Sequence, residues 1–245
     1  MRQLFMHIKA ANCLSKKFHL FAVALLAFSS AIAQTPSLGS WNIVNVRFNY
    51  NDKLSFFGEA QLRSLRFYNH FHYYEYKGGA ELSVYPGLRI AIGAGDYDTY
   101  REGGNFVTPK NNDEFRIWPQ LQLSQKLGKI KIEQRMRAEF RFTSNGYRNR
   151  FRYRVGLAYP FGKERNNVIP YQISVSNELF FTDREPYFER NRIAFNFNYK
   201  LSENVGFMAG YLHQFDYRIN DETGRDFLQL GIYIELKRKS AAKKQ

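Results

Sequence analysis

Arginine and glutamate recur at every second position over several stretches of the chain. Arg135, Arg137 and Arg141 share one parity with Glu133 and Glu139, and Arg150, Arg152 and Arg154 form a second run. Arg116, Glu178 and Arg192 stand in similar settings. Side chains two apart point to the same face of a strand. Brought together from neighbouring strands, these charges have two uses. Paired with carboxylates they form a ladder that fills a barrel interior. Unpaired, the basic groups line a passage for anions. Guanidinium forks suit bidentate carboxylate pairing, which weights the ladder.

Other chemistry finds little material. A hydrolase needs a nucleophile with a base, or an acid–base pair. Beyond residue 33 the histidines are His70, His72 and His213. His70-Phe71-His72 reads as a loop pair without the third ligand that a metal needs. His213 shares the register of Tyr211 and reads as a rim residue. Asp96, Asp98, Asp183, Asp216 and Asp221 fall near turn-rich segments, where solvated loops are the ordinary reading and an acidic or calcium site the sharper one. Gly93-Ala94-Gly95 lacks the third glycine and following helix of a dinucleotide loop. Gly78 and Gly93 read instead as bends or close packing in a sheet. No catalytic residue, cofactor or metal is assigned, and the chain is not read as an enzyme.

The elements that position the charges are strands. In Ile130–Thr143, Ile130, Ile132, Met136, Ala138, Phe140 and Phe142 alternate with Lys131, Glu133, Arg135, Arg137, Glu139 and Arg141. A helix would scatter the rings around its circumference, whereas a period of two separates them onto one face. The same split recurs from Trp41 to Leu236, with Gln134 and Asn177 as polar lapses on the apolar faces. The runs span roughly 10–14 residues, against about five or six for soluble strands and about 9–11 for membrane-spanning ones.

Short turns (51–53, 86–87, 128–129, 162–167, 202–204) alternate with longer polar segments (96–113, 143–149, 183–187, 219–226), the asymmetry of an outer-membrane barrel. Lipid forbids open sheet edges, so the sheet should close. About eleven runs can be counted, but bacterial single-chain barrels carry even numbers. The expectation is an all-β fold: an antiparallel transmembrane β-barrel of about 10–12 strands, with 12 favoured. With short turns taken as periplasmic, the strand at Trp41 would begin outside. A periplasmic N-terminus then requires that residues 34–40 add a strand or enter the lumen, or that one of the runs is misread.

The opening segment reads as an address. Arg2, Lys9, Lys16 and Lys17 precede an apolar run, Leu20 to Phe28, and then Ala31-Ile32-Ala33. These are the parts of a cleaved secretory signal peptide, with the cut between Ala33 and Gln34. Cys13, the chain's one cysteine, would leave with it. The domain reading is therefore a signal peptide (1–33), a barrel (34–237) and a basic C-terminal tail (238–245).

Charge and composition fit this division. The 245 residues carry a formal net charge of +14, which invites a nucleic-acid reading. Four of the basic residues lie in the leader, and Lys237, Arg238, Lys239, Lys243 and Lys244 lie at the end, so the body between carries +5. That balance and the export signal exclude nucleic acid as a partner. An aromatic content of 17% excludes disorder, and a mean hydropathy of −0.50 excludes a bundle of apolar helices.

The order of several short stretches resembles the outer-membrane family filed as domain of unknown function (DUF) 2490. They are Glu114-Phe115-Arg116-Ile117-Trp118-Pro119-Gln120-Leu121, Glu133 to Phe142, Arg150-Phe151-Arg152-Tyr153-Arg154, Asn177-Glu178-Leu179-Phe180-Phe181, Asn191-Arg192-Ile193 and Gly210 to Phe215. The resemblance implies export and a β-barrel in the outer membrane, and no activity. A departure from outer-membrane proteins in general is the ending, where Leu236 is followed by basic residues rather than by a closing aromatic.

Three function classes stay open: a narrow channel for small anionic solutes, a structural or adhesive barrel with a charge-filled lumen, and a barrel hydrolase acting on lipid or peptide. Expected partners are outer-membrane lipid and lipopolysaccharide, the barrel-assembly machinery and, for the first class, a small anionic solute.

Overall fold

The computed structural model describes residues 38–165, 168–217 and 223–238. The expected signal peptide, its Ala33–Gln34 junction, Asp221 and the tail beyond Arg238 lie outside the described residues. Eleven strands are described: β1 (Leu38–Asn49), β2 (Leu54–Arg66), β3 (Asn69–Tyr85), β4 (Leu88–Arg101), β5 (Val107–Leu127), β6 (Ile130–Thr143), β7 (Gly146–Phe161), β8 (Tyr171–Thr182), β9 (Phe188–Lys200), β10 (Val205–Asp216) and β11 (Thr223–Lys237). They close into one barrel in which each strand neighbours the next in sequence and β1 neighbours β11.

Successive strands pair antiparallel from β1 through to β11. With an odd number, β1 and β11 must run in the same direction, so the closing seam is parallel. Contacts at both ends of the seam agree. Near the strand starts, the rings of Trp41 and Phe227 meet edge to face at 5.5 Å. Near the strand ends, the Arg238 amide donates to the Asn49 carbonyl at 3.0 Å. The preference for twelve strands assumed an antiparallel closure, and the parallel seam removes that need. Gly39 permits the close approach here, since a Cβ would collide with the Phe227 ring.

The side-chain faces follow the period-two reading, turned inside out relative to a soluble protein. Ile92 (61% exposed), Phe195 (54%) and Phe151 (53%) point outward, while Glu114 and Glu139 (1% each) are buried within. In water an apolar surface this extensive would far exceed the patches that monomers tolerate. The two polar lapses on the outer face are satisfied locally. Tyr153 donates to Gln134 at 2.8 Å and Asn177 donates to Asn191 at 3.2 Å. Gly93 leaves room for the inward Trp118 indole, as close packing requires.

Two expectations about connections need correction. Segment 96–113 is mostly strand, because β4 and β5 continue through it and leave only 102–106 between them. Its outward Asp residues look like a loop, but ladder hydrogen bonds involve the backbone and continue regardless. The stretch between β7 and β8, nine residues from 162 to 170 in place of the expected short turn at 162–167, falls on the rim expected to carry short turns. His70 and His72 belong to β3 rather than to a loop, and His72 is buried.

Candidate functional site

Strand register decides which charges meet. Gln122, Arg135, Arg154, Glu178, Arg192, Gln214 and Arg225 follow one another as directly opposed residues from β5 to β11. Period two points all seven into the lumen. Only one of them is a carboxylate. The next row along β6 and β7 sets Arg137 opposite Arg152, and Glu139 opposes Arg150. Like charges directly opposed destabilise a sheet unless something lies between them.

The carboxylates resolve most of this by reaching across strands. Glu139, with its side chain wholly buried, accepts from Arg150 at 2.5 and 2.7 Å and from Arg152 at 2.6 Å. Arg137 and Arg116 stand within 3.6 and 3.9 Å of the same group. Glu178 Oε1 accepts from Arg135 at 2.6 Å, past the intervening β7, and from Arg152 at 2.8 and 3.0 Å. Glu114 accepts two hydrogen bonds each from Arg116 and Arg141. Bidentate, charge-assisted pairs of this kind are the strongest hydrogen bonds available to a protein.

A second network lines the opposite wall. Lys77 Nζ lies 2.5 Å from both Glu59 and Glu75, and Arg63 lies 2.9 Å from Glu75. Arg63 is also held between the rings of Trp41 and Tyr73, at 3.5 and 4.0 Å. Arg152 and Arg192 lie over Phe180 at 4.6 and 4.8 Å. Desolvated cation–π contacts contribute about 2 kcal/mol each. Phe180 and Trp118 point inward and are 0% exposed, covered by the arginines that lie over them.

Beside this packing remains a cavity of about 630 Å³, lined by fourteen Arg and Lys side chains against eight carboxylates. All eight sequence-predicted arginines line it, with Glu178; Glu139 is buried beneath them and Glu133 pairs with Lys131 at 2.9 Å. Glu114, Glu189, Arg190 and the inward rings escaped the sequence reading, and Asp216, read there as a loop residue, ends β10 with its side chain in the lumen. The parity of Glu114 with Arg116, and of Phe180 with Glu178, carries the signal that would have found them.

The remaining sequence candidates do not form one site. Asp96, Asp98 and Asp113 come together within 4.8 Å, and Lys110 occupies the cluster, 2.7 Å from Asp98. Asp216 lies in the lumen, ion-paired with Arg190, and Asp183 lies in the β8–β9 connection, bonded by Asn149 at 2.7 Å. His213 Nδ1 meets Asp226 at 2.7 Å on the outer face, and Tyr211 donates to the same carboxylate.

Residues 38–225 match the family model described as "Protein of unknown function (DUF2490)". The chain belongs to this family. The match runs from the first residue of β1 into β11, so it takes in nearly the whole DUF2490 barrel and every predicted lumen residue. No curated protein matches the chain.

Proposed function

We propose that this DUF2490 barrel spans a bacterial outer membrane as a structural element whose lumen is braced shut by charge pairs and rings. One observation carries the reading: Phe180 and Trp118 face the lumen yet have no exposure, covered by Arg152 and Arg137, and Arg152 is held by Glu139 and Glu178. The apolar outer face supports placement in lipid, since hydrocarbon solvates it without cost. Strands of 12 to 21 residues exceed the roughly 9–11 needed to span, so their ends would stand clear of the bilayer.

Planar-bilayer recording tests the closure, with heat-modifiable gel migration as proof of a folded barrel. The wild-type protein should fold and insert without conducting, and Phe180→Ala with Trp118→Ala should produce steady currents. Sustained wild-type conductance would overturn the closed lumen.

A second reading, a narrow anion passage, draws on the excess of basic groups around the cavity. It expects anion-selective currents in the wild-type protein that fall when Arg135 and Arg152 are neutralised together.

A further inference from the structure

The row through Arg135 and Arg154 contains a charge problem that the barrel does not solve by itself. These two residues are directly opposed on β6 and β7 and both line the cavity. The next residue in the row is Glu178, opposite Arg154. Its hydrogen bonds go elsewhere, all through Oε1, to Arg135 and Arg152. Among the described residues Arg154 has neither an ion pair nor a side-chain hydrogen bond, and the buried Nε of Arg135 has no partner. Two guanidinium groups thus share one carboxylate oxygen, and a third, Arg154, stands beside them without a hydrogen bond.

The surroundings leave room. Along β7 the next inward residue is Gly156, where even an added Cβ would make only ordinary contacts, the closest 3.6 Å from Ser176. Ser176 and Gln122 line the same cavity and supply neutral polar groups.

We propose that the Arg135–Arg154 rung is a binding site for one small oxyanion, a phosphate or a carboxylate. Arg154 would supply an unoccupied fork, and an anion between the two arginines would remove their repulsion. The strands wall this site off from the bilayer, which makes a free anion, not a lipid headgroup, the fitting ligand. The inference rests on the lumen reading above, but its test is separate.

Inorganic phosphate and, in parallel, acetate are titrated into the detergent-solubilised full chain at constant ionic strength set with chloride. The readout is the temperature of the heat-modifiable transition, with calorimetry for affinity. Phosphate or acetate should stabilise the wild-type barrel well beyond chloride. Arg154→Gln should weaken that binding about tenfold or more. In the absence of ligand, Arg154→Gln should be as stable as the wild type or more so, because it relieves the like-charge rung. Arg154→Lys, which keeps the charge and loses the fork, should bind at intermediate strength. Arg225→Gln, at the far end of the row, should leave binding unchanged.

The site is overturned if neither anion outperforms chloride, or if stabilisation survives Arg154→Gln undiminished. A barrel that conducts yet binds phosphate through Arg154 refutes only the closed lumen. A silent barrel indifferent to both anions refutes only the site.

Discussion

The guanidinium of Arg192 lies over the indole of Trp41, 4.9 Å from the ring centroid, although β10 and β11 separate their strands around the wall. The same indole stacks on Arg63 and donates its Nε1 hydrogen to Gln61 at 2.8 Å. One ring therefore ties β1, β2 and β9 together through the lumen. Trp41→Ala should destabilise the barrel by about 3–5 kcal/mol, the usual cost of removing a large buried ring. Denaturant unfolding in micelles measures this, and a loss below about 1 kcal/mol would show that the ring is not a tie.

Glu139 has the most arginines around it. Glu139→Gln leaves a buried basic cluster without its counter-charge, and breaking one partner of such a group costs about 3–5 kcal/mol. Adding Arg150→Gln should recover part of that loss. A double-mutant cycle should return a coupling of about 0.5–3 kcal/mol, and simple additivity would mean the pair is not a unit.

The parallel seam makes its own prediction. Gly39→Val would drive a side chain into the Ser64 carbonyl of β2 and the Phe227 ring of β11, and so loosen β1 at the seam. The variant should remain heat-modifiable but unfold at lower urea than the wild type, with protease cleavage appearing first in β1 or β11. Cleavage first in a hairpin distant from the seam would contradict this order.

Asp183 links the β8–β9 connection to β7. Hydrogen bonds from Asn149, first from its side chain and then from its amide, hold the Asp183 carboxyl below its ordinary value. A depressed carboxylate contributes its anchoring above its unfolded value and loses it as pH falls through the folded one. Proteolysis of connection 183–187 should therefore be slow near neutrality and accelerate under acid conditions. In Asn149→Ala the acceleration should begin at higher pH, and identical profiles would exclude the link.

The strand faces are legible in the sequence because a period of two survives any error in turn position. Arg135, Arg152 and Glu178 reach the lumen by parity alone. The meeting of Arg135 with Arg154 is not legible, since register depends on how many residues the 144–145 turn consumes. Trp118 and Phe180 are harder to read: parity with Arg116 and Glu178 turns them inward, but a ring counts as apolar whichever face it occupies, and only packing shows the arginines that cover them. The eleven runs are countable in the sequence, but the parallel seam that admits an odd number leaves no side-chain pattern of its own. The Asp96–Asp113 stretch misleads because outward carboxylates at a rim imitate a loop.

The inside-out barrel is tested most directly by two adjacent residues of β9. Phe195 points outward and Asn196 is buried in the lumen. With Cys13 replaced, Phe195→Cys and Asn196→Cys are each labelled with a small fluorophore before refolding into vesicles. A quencher carried on lipid acyl chains should extinguish the label at 195 and spare the label at 196. Equal quenching at the two positions, or quenching of 195 only by a water-soluble agent, would contradict a barrel that presents this face to lipid.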